Sequence, residues 1–205
     1  MSLRKRRAPV DRRTRAIVRQ IAGWCLQYPD DAVLGKLVLL QACLDELGTT
    51  APGHDELTRV LSHLREGEAG ELAAHYTEVF DRRPRRTLHL SWFSHGDTRR
   101  RGQALADLKA QYRKQGFALA ENELPDFLPV VLEFATAALD DEVLAGFHAG
   151  LNLLRDNLAA HGTPYEHAVA AVLATMPSSE QPPAAEPPVE LVGLDPFPTG
   201  AGGGR

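Results

Sequence analysis

The sequence predicts an all-α fold: a single-domain helical bundle of about eight helices. Three observations carry this expectation. Apolar residues recur at spacings of three and four along most of residues 11–176, as a helix with one buried stripe requires. Asp, Thr, Pro and Gly interrupt those runs where helices start and stop. No set of alternating segments is present that could pair into a sheet. A chain of 205 residues is long enough to bury a core without staples.

The elements follow in order. Residues 1–10, with Arg4-Lys5-Arg6-Arg7, read as a flexible basic tail. Ile17, Ile21, Trp24 and Tyr28 mark a first helix, stopped by Pro29-Asp30. Val33, Leu34, Leu37, Val38, Gln41, Leu44 and Leu47 give a second, ended by Gly48, and Ala51-Pro52-Gly53 is a turn. Leu57 to Leu64 supply a third helix, and Leu72, Tyr76, Val79 and Phe80 a fourth. Residues 81–96 break the pattern: Leu88, Leu90, Trp92 and Phe93 alternate, but a lone strand has nothing to pair with. The segment therefore reads as an extended crossing that docks apolar side chains.

Asp97 is placed to cap the next helix, which carries Ala104, Leu105, Leu108 and Tyr112. Asp126 is placed to cap another, with Pro129 in its first turn and a nearly all-apolar run from Leu128 to Leu139. A seventh helix runs from about Asp140 to Gly162. Thr163-Pro164-Tyr165-Glu166 has the pattern of a capping box opening the last helix, which carries Val169, Val172, Leu173 and Met176. From residue 177 the chain is rich in Pro, Ala, Ser and Gly, and reads as a flexible tail with one apolar island, Val189 to Leu194.

Composition narrows the function. A net charge of −4 argues against bulk nucleic-acid binding. The charge is polarised, however. Arginines crowd positions 82–86 and 99–101, while no Lys or Arg lies between Lys114 and Arg155. Cys25 and Cys43 have no metal-type spacing and read as buried free thiols. No run approaches the ~20 apolar residues of a membrane span, and no export signal is legible, so a cytoplasmic protein without membrane insertion is expected.

Catalytic signatures are incomplete. His89 and His95 lack the further ligands of a metal site. His95 beside Asp97 invites an acid–base reading, but Asp at a helix start is ordinarily a cap. Ser91 and Ser94 sit in no nucleophile elbow. The glycines at 200–204 open no helix and so form no phosphate loop. Arg99, Arg100, Arg101 and Gln103 on one helix sustain an alternative reading, a helical nucleic-acid-binding regulator.

Glu123-Leu124-Pro125-Asp126 differs in kind. Pro125 holds Leu124 extended, Leu124, Phe127 and Leu128 offer apolar mass, and Glu123, Asp126 and Glu133 surround it with negative charge. An apolar groove rimmed by acids would receive an amphipathic, basic helix. Spacing alone leaves open whether these apolar residues form such a groove or belong to the core.

Two ordered motifs, His95-Gly96-Asp97-Thr98-Arg99-x-Arg101-Gly102-Gln103-Ala104 and Glu123-Leu124-Pro125-Asp126-x-Leu128-Pro129, resemble the NarJ-type (delta subunit) assembly chaperones of respiratory nitrate reductase. These belong with TorD and DmsD among the redox-enzyme maturation chaperones. The resemblance spans roughly Trp24 to Met176, with Leu191 to Leu194 similar to the family's tail. Where many members carry a Glu-His pair before the His-Gly-Asp turn, this chain has Trp92-Phe93.

The resemblance implies an all-helical, non-enzymatic, cofactor-free protein. Its partner would be the N-terminal peptide of the nitrate reductase catalytic subunit in its apo form, kept competent for molybdenum cofactor insertion. Proteins of molybdenum cofactor biosynthesis are further candidate partners. By position, the resemblance maps partner binding onto Tyr76, Phe80 and Asp81, onto His95, Gly96, Asp97 and Arg101, and onto Glu123, Leu124, Pro125, Asp126, Leu128 and Pro129. Leu132 and Glu133 extend that surface along the same helix.

Overall fold

A computed structural model describes residues 11–177. The basic tail at 1–10 and the apolar island at 189–194 lie outside the described residues. Eight helices of ten or more residues form the body: α1 (Arg12–Cys25), α3 (Leu37–Leu47), α4 (His54–Glu66), α5 (Ala69–Phe80), α7 (Arg99–Lys114), α8 (Leu128–Ala137), α10 (His148–His161) and α11 (Tyr165–Ala174). Three short helices, α2 (Asp31–Leu34), α6 (Trp92–His95) and α9 (Glu142–Gly146), and a 3-10 turn at Pro84–Arg86 join them. The all-α expectation holds.

α1 is the hub and packs on α3, α4, α8 and α11. Its Val18, Ile21, Ala22 and Cys25 are buried, as are Leu57, Val60, Leu61 and Leu64 of α4 and Ala168, Val169, Ala171 and Val172 of α11. Burial pushes the Cys25 thiol up to about 12, so it stays a neutral, inert core group. Cys43 is only half-buried, contrary to the expectation for both thiols. Gly53 shows why the turn before α4 needs glycine: its φ is +73°, and a Cβ would lie 2.7 Å from the Ala171 Cα.

Several boundaries differ from the sequence expectation, each for a local reason. The second helix is two, α2 and α3, divided at Gly35-Lys36. Asp30 caps α2 by accepting from the Val33 amide at 2.9 Å. The seventh helix is likewise two, α9 and α10, with the Asp140 carboxylate accepting from the Glu142 amide at 2.8 Å. Thr163 forms no capping box: its hydroxyl is 2.9 Å from His75 Nε2 and accepts from the Tyr165 amide only at 3.5 Å.

The stretch after α5 corrects a larger expectation. Leu88 and Leu90 are buried as foreseen, but the segment does find a partner. The Leu90 amide donates to the Asp126 carbonyl at 2.9 Å, and the Leu128 amide to the Leu88 carbonyl at 2.8 Å. The partner is the chain around Asp126, 37 residues on from His89. Such pairing across distant sequence leaves no local trace. Among the described residues, no helix is long and apolar enough to cross a membrane.

Candidate functional site

The short antiparallel contact brings the two sequence motifs together, and its centre is Asp126. Neither predicted Asp cap forms. α7 begins after Thr98 and α8 after Phe127, with no side-chain cap bond at either start, and Asp97 is exposed. Asp126 is instead fully buried. It accepts from the Ser91 hydroxyl at 2.5 Å and the Ser91 amide at 3.3 Å, and it meets His89 Nδ1 at 3.2 Å and Arg101 Nη2 at 3.4 Å. Arg101 Nε donates to the Ser91 hydroxyl at 3.1 Å, closing the ring.

Burial alone would raise the Asp126 carboxyl. Hydrogen bonds from His89 and Ser91, with the charges of His89 and Arg101, outweigh it and hold the group below its ordinary value. A buried carboxylate with this many partners fixes geometry. It ties residues 89–91, the first turn of α7 and the start of α8 into one unit. Gly96 makes the turn between α6 and α7 with φ +59° and ψ −150°, a region essentially reserved for glycine.

Several cavities open around α6, α7 and α8, and many of the predicted site residues line them. Phe80, Asp81, His89, Trp92, Asp97 and Arg101 line a cavity of about 310 Å³. His95 opens onto a larger one of about 520 Å³ between α6, α7 and α9, with Asp107 and Glu142 in its wall. Glu123 and Glu133 lie on a groove of about 390 Å³ formed by α7, residues 117–120 and α8.

Burial corrects the expected roles of several residues. Leu128 is fully buried in the core, whereas Pro129 and Leu132, also buried, back a small cavity of about 130 Å³ between α1 and α8 that Glu133 and Arg19 share. Tyr76 is a core residue too. Its hydroxyl donates to the Leu26 carbonyl at 3.0 Å, and its ring stands 4.7 Å from that of Phe80. Pro125 is buried, and its carbonyl accepts from the Tyr112 hydroxyl at 2.7 Å. Asp126 contributes no charge to a rim. Of the Glu123–Glu133 stretch, Glu123, Leu124 and Glu133 remain exposed.

A larger groove uses another face of α8. Val130, Phe134 and Ala137, spaced four and three apart, form its floor with Tyr112, Phe117 and Leu119. No Lys or Arg lines it. Leu139, just past its Ala137 end, is 56% exposed and held at φ +54°, which costs a non-glycine residue backbone strain. The sequence run Leu128 to Ala137 is apolar on every side, so periodicity could not say which face looks outward.

The arginine helix is partly spent within the fold. Arg101 is turned into the Asp126 node, and Gln103 donates to Asp107 at 2.8 Å. This leaves only Arg99 and Arg100 of the base-reading set free of the contacts described, and it disfavours the nucleic-acid reading. Among the described residues, no group of three or more His, Cys, Asp or Glu could hold a metal ion.

Residues 45–171 match the family model for the nitrate reductase delta subunit. The chain belongs to that family. Among its relatives, the nitrate reductase-like protein NarX of Mycobacterium tuberculosis is 39% identical over 163 residues, covering 78% of this chain and 24% of that protein. The chain thus spans about a quarter of that relative's length. NarJ of Bacillus subtilis is 33% identical over 135 residues, 64% of this chain and 71% of NarJ. NarJ of Escherichia coli, named a nitrate reductase molybdenum cofactor assembly chaperone, is 44% identical over 73 residues, 36% of this chain and 31% of that protein. A crystal structure of a candidate redox enzyme maturation protein from Archaeoglobus fulgidus superposes with a TM-score of 0.59 at 21% identity, over 84% of this chain and 95% of that one. At that identity the likeness concerns the fold alone. The matched span of the delta subunit family runs from the end of α3 to α11, and so takes in the node and the cavities of about 310, 520 and 390 Å³.

Proposed function

We propose that this chain is a cytoplasmic, non-enzymatic assembly chaperone for a nitrate-reductase-type molybdoenzyme. It binds the N-terminal segment of the catalytic subunit and keeps the apoenzyme competent until molybdenum cofactor is inserted. Family membership supports the chaperone role. The single observation that carries the binding mode is the groove on α8, an apolar floor with acids and no basic residue around it.

The client segment docks there as an amphipathic helix. Its apolar stripe lies on Phe117, Val130, Phe134 and Ala137, and its basic residues approach Glu123 and Glu133. Micromolar to nanomolar affinity corresponds to about −8 to −12 kcal/mol. A few well-buried anchors can supply that, and an affinity short of the tightest extreme permits release. The Asp126 node serves the groove indirectly, by fixing the start of α8 and, through the Pro125–Tyr112 bond, its far wall.

Titration calorimetry with the client's N-terminal peptide tests this reading. The wild-type chain should bind, and Glu123→Lys combined with Glu133→Lys should weaken binding at least tenfold while circular dichroism stays unchanged. A wild-type chain that ignores the peptide would reject the chaperone reading. Full affinity in the folded double variant would reject the groove.

A further inference from the structure

α3 has a face that nothing in the described body covers. Leu37, Leu40 and Leu44 point inward and are buried. On the opposite side Val38 is 79% and Leu39 63% exposed, and Ala42 between them is exposed as well. Two adjacent, strongly exposed branched residues on an otherwise well-formed helix call for a partner. The order of residues along that face identifies one.

We propose that α3 is a self-association surface on which two copies of this chain pair antiparallel. In such a pair, residues equally far from the two-fold axis meet on the same flank. With that axis at Gln41, one residue before the middle of α3, Lys36 of one copy meets Glu46 of the other, and Leu39 meets Cys43, all on one flank of the helix. Ala42 lies near the axis, where a small side chain lets the helices approach closely.

The complementarity is therefore of two kinds, cation against anion and large against small. The cation is held in place: Lys36 Nζ sits 4.5 Å from the Trp24 ring centroid and donates to the Ala32 carbonyl at 3.2 Å. Glu46 is exposed, and Cys43 is half-buried at the stripe's edge. α3 packs on α1 and α4, whereas the acid-rimmed groove belongs to α7 and α8, so this surface is separate from the proposed client site. The inference does not rest on the chaperone reading.

A single helix pair is smaller than the ~1,000 Å² of a stable interface, so the association is weak and reversible. Sedimentation velocity of the full chain from about 1 µM to about 1 mM, which brackets weak affinities, should show dimer growing with concentration. Lys36→Glu and Glu46→Lys should each reduce the dimer fraction several-fold, and the two together should restore it. Under mild oxidation, Leu39→Cys should form a disulfide with Cys43 of a second copy, while Val38→Cys, on the other flank, should not. A chain that stays monomeric across the whole range overturns the proposal. So does a charge swap that fails to restore dimer, or equal cross-linking from positions 38 and 39.

Discussion

The buried node at Asp126 and the open groove on α8 are built from the same short stretch of chain, yet they follow opposite rules. At the node, the carboxylate is enclosed and answered by its neighbours: Asp126 by His89, Ser91 and Arg101. In the groove, Glu123 and Glu133 stand exposed over apolar side chains, and no basic residue lies among them. One motif therefore contains two trades. Its buried letters hold the fold in place, and its exposed letters are available to something else. A motif that points to a family thus does not by itself mark a contact surface.

The difference can be broken most forcefully at the node. Asp126→Ala removes the shared acceptor and leaves Ser91 and Arg101 without it, which should cost about 3 kcal/mol in chemical denaturation. The loss should depend on pH. The folded carboxylate lies below its ordinary value, so the folded chain binds that proton more weakly than the unfolded chain. Its contribution is full above the unfolded value of about 3.9 and disappears as pH falls through the folded value. The gap between wild type and Asp126→Asn should accordingly be constant near neutrality and close only in acid. A gap that already closed near neutrality would show that the Asp126 carboxylate is not what holds the node together.

Leu132→Ala comes next. Deleting a fully buried leucine should cost about 2–4 kcal/mol. Client-peptide affinity at a temperature where the variant remains folded should be unchanged, which separates core from groove. Gly96→Ala follows, with about 1–3 kcal/mol lost to the positive φ at the α6–α7 turn, measurable as a lower melting temperature. The smallest effect on stability, within about 0.5 kcal/mol, is expected of Glu133→Lys alone. Its effect should appear instead in peptide affinity and in a weaker dependence of that affinity on salt.

The fold was largely legible in the chain because helical spacing is a local property. Ile17, Ile21 and Trp24, or Leu57, Val60, Leu61 and Leu64, declare their shared face within two turns. The breaks at Gly35 and Phe147 were less visible, since the apolar spacing continues across both. The site was legible only in part. That Glu123 and Glu133 flank an apolar groove follows from their charge and position, and the structure keeps that arrangement with Val130 and Phe134 in place of Leu128 and Leu132. The choice between those faces depends on α1 covering one side of α8. That is a tertiary fact with no signature in a helix apolar all round. The role of Asp126 was hidden for a related reason: an aspartate two residues before a helix looks like a cap until its distant partners, Ser91 and Arg101, are known.

One contact near the end of the described chain has a wider consequence. Arg19, almost fully buried on α1, donates to the Thr175 hydroxyl at 2.9 Å and also pairs with Asp141, which Arg15 holds at 3.0 Å. The first helix and the segment that follows the last are therefore tied to each other, at a point about two helical turns into α1. A body whose first and last segments meet in this way is suited to insertion into a longer polypeptide, as a bead held on a loop. The Mycobacterium tuberculosis relative, of which the matched region is 24%, is a protein in which that architecture can be sought.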